Sequence, residues 1–322
     1  MVLLKTMTDT RNRLLTGLQP SGDLHIGNYF GALQPFLDIY QEHESFLMVA
    51  DYHALTSLKD AQLLKEYIYN VVRDYLAVGV DPSKVILFRQ SDNPDHTELA
   101  WILNCQVTVP FLMQAHSYKD KVAKGLEPNA GLFTYPMLMA ADILLYDTDV
   151  VPVGEDQRQH LEYTREAATK FNNAFGNEIL KKPKDLILKS AGVVPGIDGH
   201  KMSKSYGNTI PLFASREEIQ KTVMSIVTDS SANRPENVYA IHSLLKSKTE
   251  LDALYEEQSG KYKNLKDALV EDLEAFIAPM RKKREAITDE MVREVLNTGA
   301  DKAREVSNTK MQAIRDAVGI TL

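Results

Sequence analysis

Up to about residue 210, short apolar runs alternate with longer amphipathic stretches. The runs at 13–16, 46–50, 85–89 and 150–153 are too short for helices and predict strands, and the amphipathic stretches between them predict helices. Such alternation predicts a parallel sheet covered by helices. Polar residues follow three of these strands: Asp51, Tyr52 and His53 after the second, Gln90, Ser91 and Asp92 after the third, Gly154, Glu155 and Asp156 after the fourth. Ligands of doubly wound sheets sit beyond the carboxyl ends of the strands, so chemistry is expected in these segments. After Pro211 the pattern becomes helix upon helix. Ile219, Val223, Ile226 and Val227 form one apolar stripe, Leu265, Leu269, Leu273, Phe276 and Ile277 another, and a final helix over 302–318 is expected to pack back on its neighbours. The fold expected is α/β: a doubly wound, Rossmann-like parallel-sheet domain over 11–210, followed by an all-helical domain over 211–322. There is no internal repeat and no low-complexity segment.

A chain of 322 residues with 44% hydrophobic content can bury a large core. Its net charge of −7 argues against bulk nucleic-acid binding, so a nucleic-acid partner would need local basic patches. Arg281, Lys282, Lys283 and Arg284 form the sharpest such cluster, which reads equally well as a solvated face balanced by Asp272, Glu274 and Glu285. The single cysteine, Cys105, excludes an internal disulfide framework and a cysteine-rich metal site. It falls in an apolar helical stretch and is expected to be inert. No signal-type or membrane-spanning run is visible, and the cytoplasm is the expected compartment.

Two segments carry candidate chemistry. Lys201, Met202, Ser203, Lys204 and Ser205, with Gly199 before and Gly207 after, make a cationic, hydroxyl-bearing loop suited to a polyphosphate leaving group, although alone it could be a solvated turn. Near the amino terminus, 14–29 reads as strand, glycine-punctuated loop and helix, with Gln19, Pro20, Ser21, Gly22, His25, Gly27 and Asn28 in order. Gly22 and Gly27 let backbone approach a nucleotide, and the helix amino terminus offers free N–H groups to phosphate. Neither the dinucleotide nor the P-loop glycine spacing is present, so the phosphate grip is of another type. No nucleophile triad is visible.

The pairing of His25-Ile26-Gly27-Asn28 with Lys201-Met202-Ser203-Lys204-Ser205 resembles the two signature motifs of class I aminoacyl-tRNA synthetases. The first motif departs from His-Ile-Gly-His by ending in Asn28, a variation similar to the bacterial-type tryptophanyl branch. The stretches 131–144 and 151–160 carry the same resemblance. It implies a ligase that activates L-tryptophan with ATP and Mg²⁺, without a dedicated protein metal site, and transfers it to tRNA(Trp). It also implies a homodimer, and contact of the helical domain with the anticodon arm. Lys201, Lys204, Gln19 and Asn28 would act in catalysis; Pro20, Ser21, Gly27, Lys121, Gly154, Glu155, Asp156, Met202, Ser203 and Ser205 would line the ATP; Leu15, His53, Tyr135, Met139, Asp142, Val151 and Gln157 would hold tryptophan.

Several residues keep a second reading. Asp142 interrupts an apolar helix and suits an indole N–H, which can only donate; the lesser alternative is a carboxylate satisfied by backbone or a nearby arginine. His25 could cap or pack, His53 could be a structural histidine, Asp156 could be a helix-terminal acid, and Lys119 and Lys121 could be exposed loop lysines. Tyr135, Met139 and Asp142 keep the spacing of tyrosyl enzymes with Met in place of Gln, which favours a broad aromatic face over a phenol. Leu15 stands where relatives often carry an aromatic, and 112–117 differs from an arginine-containing stretch. The rival readings are a tyrosyl synthetase, a non-charging tryptophan-binding paralogue and a small-molecule adenylyltransferase.

Overall fold

A computed structural model describes residues 11–114, 118, 129–154, 158–176, 178–187, 193–228 and 234–321. Its sheet has five parallel strands in the order β3-β2-β1-β4-β5, with β1 at Arg13–Leu18, β2 at Glu44–Val49, β3 at Val85–Arg89, β4 at Val150–Val153 and β5 at Lys184–Ile187. The first four answer the apolar runs. β5 was not expected, because an edge strand with exposed Lys184 and Ile187 carries no apolar run. β1 continues through Gly17 to Leu18, where a Cβ on Gly17 would stand 2.7 Å from the Met48 carbonyl oxygen.

From β1 the chain passes through α1 (Ile26–Asn28), a π-helical turn (Tyr29–Leu33) and α2 (Gln34–Ile39) to β2, then through α3 (Asp51–Ala54) and α4 (Ala61–Val78) to β3. It returns by α5 (Asp95–Asn104), α6 (Val109–Leu112) and α7 (Ala130–Leu144) to β4 on the other side of β1, and α8 (Arg158–Phe175) leads to β5. The strand order therefore reverses between β1 and β4, which places the ligand crevice of such a sheet at their carboxyl ends.

Strand alternation divides the core in two. Leu14, Leu47, Val49 and Leu87 face α4 together with α9 (Arg216–Met224), α10 (Glu236–His242), α11 (Lys248–Glu257) and α12 (Tyr262–Glu285). Leu15, Phe46, Met48 and Phe88 face α5, α7, α8 and the later turns of α13 (Asp289–Val318). Ile219, Val223, Ile226 and the Leu265–Leu269–Leu273–Ile277 stripe are buried as expected. Val227 is not: the α9 helix ends at Met224, and Val227 lies exposed beyond it.

The last helix is longer than 302–318 and lies against the sheet. At Gly299 a Cβ would fall 1.8 Å from the Leu87 carbonyl oxygen, so only glycine lets α13 ride this close over β3. Farther along, Arg304 donates to the Asp92 carbonyl and Arg315 pairs with Asp95 and Glu98, which covers the outer edge of β3. Among the described residues, no helix is long and apolar enough to cross a membrane.

Candidate active site

A pocket of about 570 Å³ opens at the carboxyl ends of β1 and β4. Leu15, His53, Tyr135, Met139, Asp142 and Val151, from four separate parts of the chain, share its walls with Gln19 and Gly154. Lys121, Glu155, Asp156 and Gln157, with Lys119 and 115–117, lie outside the described residues. A larger groove of about 740 Å³ lies at the amino ends of the strands, where Arg13 pairs with Glu44 and Lys181 with Asp149. Cations and carboxylates are mixed along it, and the chemistry-bearing residues are at the opposite end.

Asp142 is 1% exposed, and neither backbone nor arginine satisfies it. His53 Nε2 donates to Oδ2 at 2.9 Å, while Gln90 Nε2 and His96 Nδ1 donate to Oδ1 at 2.8 and 2.7 Å. Gln90 is oriented for this because its Oε1 accepts the Tyr52 N–H at 3.1 Å. Burial pushes the Asp142 pKa up, but the hydrogen bonds from His53 and His96 prevail and hold it below the usual carboxylate range. The group is thus an ionised acceptor in an apolar wall. A carboxylate oxygen takes two donors readily, so Oδ1 is filled and Oδ2 has room for one more. Across the pocket, the Tyr135 hydroxyl meets His160 Nε2 at 2.8 Å.

The two motif segments come together beside this pocket. The His25 N–H donates to Asn28 Oδ1 at 3.0 Å, so Asn28 ties the start of α1. Gly27 keeps this corner open: a Cβ there would stand 2.8 Å from His25 Nδ1 and 3.2 Å from the Met202 sulfur, so those side chains would have to shift. Gly22 has φ +99°, the left-handed turn that brings Ser21 under Lys204, whose Nζ donates to the Ser21 carbonyl at 3.2 Å. Lys201 and Ser205 are exposed, and the Ser203 and Ser205 hydroxyls are 2.9 Å apart. Burial and then the Lys204 charge lower the His25 pKa to about 4, which leaves a neutral ring at pH 7.

The loop from 201 to 207 is not simply a tether between glycines. Buried Asn208 accepts the Ser203 N–H at 2.8 Å and donates to Asp198 at 2.8 Å and to the Lys201 carbonyl at 3.1 Å, which sets the loop's shape from within. Of the basic cluster, Arg281 pairs with Glu274 and Arg284 with Asp74 on α4, whereas Lys282 and Lys283 stay exposed. Cys105 is exposed at the end of α5, contrary to expectation, because it follows the last helical turn instead of joining the apolar face. Sequence reasoning placed Gln90 in a strand-end segment where chemistry was expected without giving it a partner, and it gave no site role to His96, His160 or Asn208.

A parallel sheet with a switch-point pocket, flanked by a glycine-bearing loop and a lysine-bearing loop, is the architecture of a nucleotide-binding α/β enzyme. Residues 7–299 match the family described as tRNA synthetases class I (W and Y), and the chain belongs to that family. A tryptophan–tRNA ligase of Fusobacterium nucleatum is 48% identical over 318 residues, spanning 96% of this chain and 98% of the relative. Another, of Rhodopirellula baltica, is 43% identical over 319 residues, 96% of this chain and 99% of the relative. The crystal structure of Campylobacter jejuni tryptophanyl-tRNA synthetase complexed with ADP and tryptophan shares the fold with a TM-score of 0.90 at 43% identity, covering 95% of this chain and 99% of that one.

Proposed function

We propose that this chain is a tryptophan–tRNA ligase, joining L-tryptophan to ATP as tryptophanyl-adenylate with release of pyrophosphate and then moving the aminoacyl group to the terminal ribose of tRNA(Trp). The observation that carries this reading is Asp142: an ionised carboxylate in an apolar pocket, with acceptor capacity left on Oδ2 for an indole N–H. Met139 on the same wall suits the indole face, and Leu15, His53, Tyr135 and Val151 complete the enclosure. Gln157, from the segment after β4, would hold the amino-acid end.

Activation is attack of the α-carboxylate on the α-phosphorus, so the protein need only align reactants and stabilise charge on leaving oxygens. Gln19, Pro20, Ser21, Gly27 and Asn28 form one side of the ATP site; Met202, Ser203, Ser205, Lys201 and Lys204 form the other, with the two lysines meeting pyrophosphate. Gly154, Glu155 and Asp156 would border the nucleoside, and Lys121 the phosphates. Mg²⁺ enters as part of the substrate, magnesium–ATP.

The segment 211–322 would contact the anticodon arm, with Lys282 and Lys283 as its exposed cations. Exposed Trp101 on α5 and exposed Val109 and Met113 on and just after α6 are the apolar residues we put forward for a homodimer contact. The cytoplasm, which holds tRNA and ATP, is the fitting compartment. Amino-acid-dependent pyrophosphate exchange tests the substrate: tryptophan should support it and tyrosine should not, and the reverse would make the chain a tyrosyl enzyme. Charging of purified tRNA(Trp) separates a ligase from a paralogue that only binds tryptophan.

A further inference from the structure

Behind Asp142 a chain of buried polar groups runs away from the pocket toward α13. His96 is fully buried, and its Nδ1 lies 2.7 Å from Asp142 Oδ1, an oxygen that can only accept. Its Nε2 lies 2.8 Å from the Tyr146 hydroxyl. That hydroxyl already accepts a hydrogen bond from Asn93 Nδ2 at 3.1 Å, so its own proton needs an acceptor, and among the described residues His96 Nε2 is the one within reach. Burial pushes the Tyr146 pKa up, which keeps the phenol a donor. The directions then agree from end to end: Asn93 to Tyr146, Tyr146 to His96, His96 to Asp142.

The outer end is anchored as well. Asn93 Nδ2 also donates to Ser307 Oγ at 2.9 Å, Ser307 donates to Asp95 at 2.7 Å, and Arg315 holds Asp95 at 3.1 Å. Phe46 stacks on the Tyr146 ring at 4.9 Å and Phe88 meets its edge at 5.5 Å, which leaves the phenol little freedom to turn.

Resting on the tryptophan reading, we propose that Tyr146 and His96 are positioning residues for indole recognition: the Tyr146 hydroxyl locks His96 in the tautomer that donates from Nδ1, filling Asp142 Oδ1 and leaving the free lone pair of Oδ2 for the substrate N–H. Neither residue touches the pocket, and both act through Asp142. Without the hydroxyl, His96 can adopt the other neutral tautomer, which presents a lone pair to Asp142 Oδ1 and turns an attraction into a repulsion.

The test compares tryptophan with its analogue in which sulfur replaces the ring N–H, by pyrophosphate exchange on the full-length enzyme. Asp142→Asn sets the full size of the loss. Tyr146→Phe is expected to raise the KM for tryptophan about three- to tenfold, with kcat and the KM for ATP nearly unchanged, and to shrink the preference for tryptophan over the analogue by the same factor. Phe46→Leu, which loosens packing but keeps the hydroxyl, should lower stability and leave the preference intact. A Tyr146→Phe enzyme whose preference stays within about twofold of the parent overturns the proposal. So does an equal loss of preference in Phe46→Leu. If Tyr146→Phe does not fold, the imidazole ¹⁵N shifts of His96 in the unaltered protein decide: protonated Nδ1 with bare Nε2 supports the lock, and any other state refutes it. Failure of the unaltered protein to activate tryptophan would instead defeat the ligase reading.

Discussion

At the scale of single residues, the site depends on where charge is held ready and where it is withheld. Lys204 donates to the Ser21 carbonyl beside the first motif, and in the proposed reaction its ammonium would stand ready before pyrophosphate charge develops. Lys204→Ala is therefore expected to slow adenylate formation by about two orders of magnitude while tryptophan still binds. Stopped-flow measurement checks this, and normal adenylate formation with only weaker ATP binding would make the loop a docking feature. His25 shows the opposite case. Its folded pKa of about 4 lies below the ordinary 6.5, so the unfolded chain binds the proton more strongly between those values. Its contribution to stability is complete above pH 6.5 and is lost as pH falls through 4. Asp74, raised to about 6 by burial against the pull of Arg284, works in the opposite direction, losing its contribution as pH rises through 6. Comparing His25→Gln with the parent cancels Asp74. The variant's melting temperature should fall less between pH 6.5 and 4, and parallel curves would show that His25 titrates normally.

At the scale of elements, α13 shows how a helix apparently belonging to a separate helical region becomes part of the sheet's cover. Gly299 is the point of closest approach, with no room for a methyl group above Leu87. Gly299→Ala should cost about 3 kcal/mol or more, since backbone must move to admit the side chain. Gly31, exposed in the π-helical turn, has open space within 4 Å of where a methyl group would stand, and Gly31→Ala should be neutral or stabilising by about 0.5–1 kcal/mol. Urea unfolding of the two variants reads this contrast, and similar midpoints would mean that α13 does not seat on β3. Nothing in the periodicity of 289–318 names β3 as its partner. An amphipathic stripe states that a face is buried and is silent about against what.

At the scale of the whole molecule, the proposed homodimer is tested at the exposed apolar residues Trp101, Val109 and Met113. Trp101→Glu should convert a dimer to a monomer in light scattering, and an unchanged mass would place the interface elsewhere. Much of the architecture was legible beforehand: four strands, the change to helices after Pro211 and the two motif loops follow from local signals, because apolar periodicity and glycine spacing are written within a few residues. The edge strand β5 was not legible, because half-exposed Lys184–Ile187 has no apolar run to detect. The sequence by itself also determined the chemical types at the site, an acid in an apolar helix and two lysines in a hydroxyl-bearing loop. Only the tertiary structure decided what they face: His53, Gln90 and His96 converge on Asp142 from separate segments, and Arg284 turns from a surface charge into a partner of Asp74. The physical reason is that a side chain's donors, burial and charge neighbours come from residues distant in the chain, and those meetings exist only once the sheet has set its strand order.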